Sequence, residues 1–444
     1  MDTLIGIFLV LGVMILVHEW GHFIVARFFG VRVDVFSIGF GPRLFGFRRG
    51  ATDYRISALP LGGYVRMAGQ DLSEVDSGKV APTGSPDELM SKPRWQRALI
   101  SFAGPAVNLL MPIVLLGGFF VLKGFPYPAY LDKPMVIQGL QKTSPLAKAG
   151  VSDGDRVVAI NNVPTPTWSK ADSLLAQVSP DAVLRFSIDR QGTQEVAEVK
   201  GAEFRSTDEP WGYLPVPPLV GQVSAGMPAK RAGLKRGDLI LSVNGTPLQA
   251  WQQFVDLIKL SKGETLKTAI KRNGEIVNLE IHPIQEKDER GQPVWRIGVG
   301  PGGEWAFRDM GFTASVKEST QETVEATGKL LGILGRLFSG KLSIRQFQSF
   351  VGIAVQAGQA VQEGPVDVIN MMAMISLNLG ILNLLPIPIL DGGNLLLLSL
   401  EGIRRRDFSL AFKERFVQVG LVFLLALLAF VMYNDVVRLL PSHS

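Results

Sequence analysis

The chemistry in this chain concentrates in a five-residue run, HEWGH, which places His18 and His22 four positions apart with Glu19 between them. On a helix, positions i and i+4 share a face. Both imidazoles can therefore grip one Zn2+ ion while the intervening carboxylate reaches the ion's water as general base. The bland alternative is that two histidines and a glutamate fell on a core helix by accident. That alternative is costly here, because the run lies in an apolar stretch where an ionised side chain costs roughly 2.5–3.5 kcal/mol at mid-membrane.

Catalytic zinc usually takes three protein ligands and leaves a position for water. The chain has four histidines and no cysteine, so thiolate sites, disulfides and a Cys nucleophile are excluded. His282, on a repeat strand, and His443, in the tail, read as surface residues. The remaining candidate for the third ligand is Asp391, in NLLPIPILDGG from Asn383 to Gly393. Asp391 could also cap a helix beginning at the Gly-Gly pair, and a cap and a ligand are not exclusive. Pro386 and Pro388 remove backbone donors and hold the chain extended. Irregular backbone at membrane depth is tolerated where it is buried or lines a wet cavity. Asn383 could hydrogen-bond a substrate main chain or serve a helix–helix contact.

The chemistry this constellation can perform is hydrolysis of a peptide bond inside a bilayer, with Glu19 moving the proton. A transmembrane substrate hides its amides in i to i−4 bonds and must unwind before attack. An edge strand could hold the unwound stretch by β-augmentation. The hairpin from Tyr54 to Arg66 is placed to offer one, with Tyr54, Ile56, Gly62 and Gly63 as candidate substrate contacts beside Asn383, Pro386 and Pro388. A purely structural hairpin packing on the helices fits the same residues.

These groups need a membrane frame, and the composition supplies one. Of 444 residues 47% are apolar and 19% charged, against about 25% charged in an average globular protein. Four stretches of spanning length stand out: 3–26, 98–122, 368–400, which carries only Asp391 and is broken by its prolines, and 416–434. The first has no Lys or Arg before it and no small-residue cleavage site after it, so it reads as a retained helix and not a signal peptide. The net charge of +5 is spread along the chain, which argues against a nucleic-acid face. Lys and Arg crowd the connections 27–97 and 404–415, which assigns those sides to the cytoplasm. Both termini and the residues from 123 to 367 are then extracytoplasmic, and Trp95 would anchor the second span at the inner interface. Spans one and three run in the same direction, so His18, nine residues before Arg27, and Asp391, 13 before Arg404, can meet near the cytoplasmic side.

The large external region contains a repeat. PLAKAGVSDGDRVVAINNVPTPTW from Pro145 aligns without gaps on PAKRAGLKRGDLILSVNGTPLQAW from Pro228. Each copy predicts a short helix ending at Ala-Gly, a strand such as 238–243 closed by Asn-Gly, a helix such as 251–260, and a hairpin such as 268–281 turning at Asn273-Gly274. The expected organisation is 1–27 first span; 28–97 membrane-associated β region; 98–122 second span; 123–217 and 218–300 two α+β modules. It continues with 301–365 amphipathic helices, expected at or near the outer membrane surface; 366–403 third span; 404–415 cytoplasmic loop; and 416–437 fourth span. The fold class is thus a four-span α-helical membrane protein with a β-hairpin region and two external α+β modules.

Together these residues resemble the site-2 protease family of intramembrane zinc metalloproteases, in particular its bacterial RseP-type members. The resemblance is carried by HEWGH, FSIGFGP at 36–42, PLGGYVRM at 60–67, AGPAVN at 103–108, the tandem PDZ-like modules and NLLPIPILDGG. It implies that His18, His22 and Asp391 bind Zn2+ and that Glu19 is catalytic. It further implies location in a bacterial inner membrane, cleavage of pre-trimmed single-span substrates such as anti-sigma factors in an envelope stress response, and peptide termini or a periplasmic protein as partners of the modules. The tandem would act as a size filter and the following helices as a substrate clamp. One departure is Phe350-Val351, where many members carry Gly-Pro, which bears on the geometry from Ser349 to Ala354. A reading of a different class is a membrane-anchored PDZ scaffold with a non-catalytic metal site, though a scaffold needs neither Glu19 nor the Asp391 loop. A soluble metallopeptidase with an anchor fails because HEWGH lies within the first span.

Overall fold

Long apolar helices that carry isolated polar groups must pack those groups inward, and helix α1 (Val13–Phe28), entered through a π-helical turn at Ile7–Gly12, does so. The computed structural model describes residues 7–69, 84–179, 181–207, 209–224, 226–287, 292–340 and 350–439. It divides into one unit of residues 1–125 with 308–444 and a second of residues 126–307.

In the first unit, α1 is followed by strands β1 (Val33–Arg49) and β2 (Thr52–Met67), then helix α2 (Arg94–Lys123). After the second unit come α3 (Phe312–Phe338), α4 (Phe350–Glu363), α5 (Pro365–Asn383), α6 (Asp391–Arg404) and α7 (Leu410–Leu439). Among the described residues, three segments are long and apolar enough to cross a membrane: Val10–Phe28, α2 and α5. The expected fourth span falls on α7, many of whose side chains lie outside the described residues.

Helix α2 is the hub, with α1, α3, α5 and α6 all packed against it. Small residues set the approach. A Cβ at Gly21 of α1 would stand 2.6 Å from the Ala103 carbonyl oxygen of α2, and one at Gly380 of α5 3.0 Å from the Leu109 side chain. Close backbone contact through such residues replaces the hydrophobic drive that lipid cannot supply. The expected break in the third span is present: α5 stops at Asn383, α6 starts at Asp391, and the intervening residues, with Pro386 and Pro388, are not helical.

Helices are present in the expected region 301–365 as α3 and α4. Helix α3 runs along α2 in the opposite direction. Ser315, Ser319 and Thr323 are buried, Gly117 faces the Ser319 hydroxyl, and Leu330 and Leu334 close on Leu109, Leu377 and Ile381. The polar stripe is compatible with burial because its hydroxyls bond back to the helix, Thr323 to the Ser319 carbonyl at 2.6 Å and Ser319 to that of Val316 at 3.1 Å. Helix α4 likewise buries Ala357 and Ala360 against Val10 and Met14. Ser349, in the departing SFVGIA stretch, lies outside the described residues, as do the side chains of Phe350 and Val351.

The strands pair with each other twice over. Phe36 stands opposite both Val65 and Tyr54, while Tyr54 also faces Phe47, so the residues 33–40 lie between 53–59 and 63–67. The rings of Phe23, Phe36, Tyr54 and Phe47 pack in a row. The tip leaves Leu44 at 70% and Phe45 at 72% exposure, an apolar edge suited to lipid and not to water.

The second unit contains the predicted duplication. Strands Val163–Pro164, Arg156–Ile160, Val183–Arg190 and Thr193–Lys200 are hydrogen-bonded in that order, as are Thr246–Pro247, Leu239–Val243, Leu266–Arg272 and Glu275–Ile281. Helices Trp168–Leu175 and Trp251–Leu260 complete separate cores around Trp168 with Phe186 and around Phe254 with Ile270. The turns sit on Asn-Gly as read, with Asn244 at φ 49° and Asn273 at φ 50°.

Each module also repeats a pairing that the sequence pattern did not announce. Arg190 donates to both Asp155 oxygens and to the Gly150 carbonyl, and Arg272 does the same for Asp238 and Gly233. The bonds from Arg190 hold the Asp155 carboxyl below its ordinary range against the opposing effect of burial. A depressed folded-state carboxyl contributes stability above its unfolded value, and this is lost as pH falls through the folded one. Hydrogen exchange on the full-length protein should accordingly show the first module losing protection below about pH 4. Arg190→Leu should lower its protection at neutral pH and flatten that acid limb, while the second module stays unchanged.

Candidate metal centre

The i, i+4 spacing on α1 turns both imidazoles toward α2 and the start of α6. The His18 and His22 Nε2 atoms are 3.2 Å apart, His18 Nε2 is 3.2 Å from Asp391 Oδ2, and His22 Nε2 is 3.4 Å from Asp391 Oδ1. Among the described residues these three are the group of His and acidic side chains whose ligand atoms converge for a metal, all lying within 4.8 Å of one another. Both histidines are buried, at 8% and 9% exposure.

The donor set fits zinc. Nitrogen and oxygen ligands at about 2.0–2.2 Å in tetrahedral array stand roughly 3.3–3.6 Å from each other, close to the spacing observed. The His22 Nδ1–H donates to the Ile100 carbonyl oxygen at 2.7 Å, which leaves the Nε2 lone pair directed at the other two ligands. His18 is flanked by amides, with Asn108 Nδ2 3.2 Å from its Nδ1 and Asn383 Nδ2 3.3 Å from its Nε2. Gly104 makes the space. A Cβ there would lie 2.3 Å from His22 Nε2 and 2.8 Å from His18 Cε1.

Asp391 is the first residue of α6, with Leu390 at the N-cap position. Of the two roles open to it, the carboxylate serves the imidazoles. The turn before it is tight, with Ile389 at φ 81°, a conformation that costs a β-branched residue on the order of 1–3 kcal/mol. Gly392 and Gly393 permit the approach, since a Cβ on either would meet the carbonyls of Leu384, Leu385 or Ile387 at 2.3 Å.

Glu19 projects beside this group under the end of the sheet. Its carboxylate accepts a hydrogen bond from the Val65 backbone N–H, and Gly63 leaves room for it, with a Cβ there 3.2 Å from Glu19 Cγ. A cavity of about 390 Å³ opens on His18, Glu19, His22 and Asp391 and is walled by Tyr64, Val65 and Asn383.

Of the expected substrate contacts, Gly63 and Asn383 reach the centre. Gly62, at φ 135°, faces the Phe40 ring. Tyr54 packs in the aromatic row, Ile56 is exposed on the far part of the sheet, Pro386 is exposed, and Pro388 packs against Gly420 of α7. None of these four lines the cavity. Gly104, Asn108, Tyr64 and Val65 do not stand out as site residues in the sequence. They fall within the runs AGPAVN and PLGGYVRM. His282 is exposed and hydrogen-bonds with Thr265, and it is not part of the converging group.

The sequence matches the profile of peptidase family M50 over residues 6–427. Regulator of sigma-E protease RseP of Escherichia coli K12 is 31% identical over 455 residues, 97% of each chain. A protein of Neisseria meningitidis whose name includes the words zinc metalloprotease is 29% identical over 468 residues, covering 99% of this chain and 100% of that one. Among solved structures, the PDZ domain of an SdrC-like protein from Listeria monocytogenes aligns with 19% of this chain and 84% of its own at 28% identity, with a TM-score of 0.17.

The Gly104 packing generates a direct test of the centre. Gly104→Ala should leave helix content intact but strip most of the bound metal, because the added methyl occupies the space of both imidazoles. Elemental analysis of the detergent-purified protein checks this, and full metal content in the variant would contradict the packing described.

Proposed function

The chain belongs to peptidase family M50, the site-2 protease family of zinc metalloendopeptidases, and on that premise we propose that it hydrolyses peptide bonds within the transmembrane segments of single-span membrane proteins. The observation that carries the reading is the meeting of His18, His22 and Asp391 beside Glu19 on helices apolar enough to cross a bilayer.

His18, His22 and Asp391 hold the zinc ion, which when bound polarises the scissile carbonyl and makes water a nucleophile near neutral pH. Glu19 takes the proton from the attacking water and returns it to the leaving amine. The Val65 N–H fixes the Glu19 carboxylate for both transfers. The segment 63–67 pairs with 33–38 along one side and lies beside Glu19. An unwound substrate strand added to this sheet would bring its amide to the acid–base group. Asn383 is placed to bond the substrate main chain once His18 is committed to the metal. Pro386 and Pro388 keep the approach to Asp391 extended, and Tyr54 and Ile56 act through the sheet that carries the edge.

The topology follows the charge bias. The connections 27–97 and 404–415 face the cytoplasm, with four spans, both termini outside and the centre near the inner side of a bacterial inner membrane. The two external modules are PDZ-like domains that take peptide termini or a periplasmic protein and filter substrates by size, with the helices after them as a clamp. Full-length likeness to sigma-E regulators supports an anti-sigma-factor-like substrate, already shortened by another protease, as the physiological target.

Two experiments test this reading. With a model single-span substrate in detergent, Glu19→Gln should retain one zinc per chain and lose cleavage by about 10²-fold or more. Asp391→Ala should lose both cleavage and most zinc. A zinc-loaded wild type as inert as Glu19→Gln would favour the scaffold reading, and unchanged metal content in Asp391→Ala would assign the third ligand elsewhere. Removing residues 134–283 should relax substrate selectivity while hydrolysis persists, and a zinc-loaded but inactive deletion would contradict the filter.

A further inference from the structure

His18 has amide nitrogens on both sides of its ring, from Asn108 at Nδ1 and from Asn383 at Nε2. A neutral imidazole offers one lone pair and one N–H, so it cannot accept from both. When Nε2 gives its lone pair to a metal, Nδ1 carries the proton and requires an acceptor.

We infer that Asn108 is the positioning residue of the metal centre, its side-chain carbonyl accepting the Nδ1–H of His18 and fixing the tautomer that frees Nε2. This rests on the zinc reading above. A half-turn of the amide exchanges Oδ1 and Nδ2 within the same volume. Asn108 is fully buried and its Oδ1 has no hydrogen-bond partner, so the half-turn sacrifices no bond. Among the described residues no other bond to His18 Nδ1 competes.

The rest of Asn108 is fixed. Its backbone carbonyl accepts the Ser376 hydroxyl at 2.9 Å, tying α2 to α5 at this level. The site then has matched supports. His22 Nδ1 is held by the Ile100 carbonyl oxygen, and His18 Nδ1 by Asn108 two turns further along the same helix. Both metal-binding imidazoles of α1 are thereby oriented by α2, the first through backbone and the second through a replaceable side chain. Loss of such an outer hydrogen bond typically weakens metal binding about 10–100-fold.

The test compares Asn108→Leu, Asn108→Asp and Ser376→Ala in full-length protein in detergent. Zinc affinity is read by chelator competition, and the visible absorption bands of the cobalt-substituted protein report ligand arrangement. Asn108→Leu, of similar volume with no acceptor, should bind zinc roughly 10–100-fold more weakly with altered cobalt bands. Asn108→Asp, which keeps the acceptor, and Ser376→Ala, which loosens the helix contact alone, should stay within a few-fold of wild type. Wild-type affinity and spectrum in Asn108→Leu would overturn the assignment while leaving the zinc reading intact. Equal losses in Asn108→Asp and Asn108→Leu would also overturn it, showing that packing and not the acceptor matters. A wild type that binds no zinc would remove both.

Discussion

The constraint on which the membrane unit depends is that two imidazoles and two carboxylates must be kept inside an apolar helical frame without being left unpaired. Each such group taken alone is expensive in hydrocarbon. At mutual distances of 3.2–3.4 Å the two Nε2 atoms and the Asp391 carboxylate converge as three acceptors, and these separations suit a cation that would satisfy all of them at once. Stability and chemistry thus ask for one geometry. Ile389, two residues before Asp391, holds a left-handed backbone that a β-branched residue adopts only at a cost.

Helix α2 delivers that geometry while supplying no ligand of its own. It meets α1 through Gly21 and Ala103, leaves a gap at Gly104 for the imidazoles, and receives α5 through Gly380 on Leu109. Of its interior prolines, Pro105 and Pro112, the second frees the Asn108 carbonyl, which accepts the Ser376 hydroxyl of α5 instead. In such a bundle the scarce resource is space beside the backbone, so glycine placement decides where polar side chains can gather.

Much of this was legible in the sequence because strict spacing leaves few alternatives. HEWGH fixed two groups on one helical face, and Asp391 followed from the shortage of other ligands. The 83-residue offset gave both modules, down to the Asn244 and Asn273 turns. What stayed hidden involves choices that a linear pattern does not encode. The stripe Ser315, Ser319 and Thr323 on α3 reads the same whether its neighbour is headgroup or helix, and only packing against Gly117 decides. Asn108 and Gly104 are ordinary members of an apolar run until α1 is laid across them. Tyr54 looked like a contact residue because aromatic groups in a hairpin serve either recognition or packing, and here three rings claim it.

The second unit leaves and rejoins the chain through Phe125–Pro128 and Trp305–Arg308, two short strands that pair with each other. Its ends therefore meet. Joining a domain to a host through adjacent ends adds little closure entropy and places few demands on the fold it interrupts. Such a cassette can be lengthened, shortened or exchanged over generations while the hydrolytic bundle retains its own sequence logic. The inserted unit and the bundle that carries the converging histidines can thereby change independently.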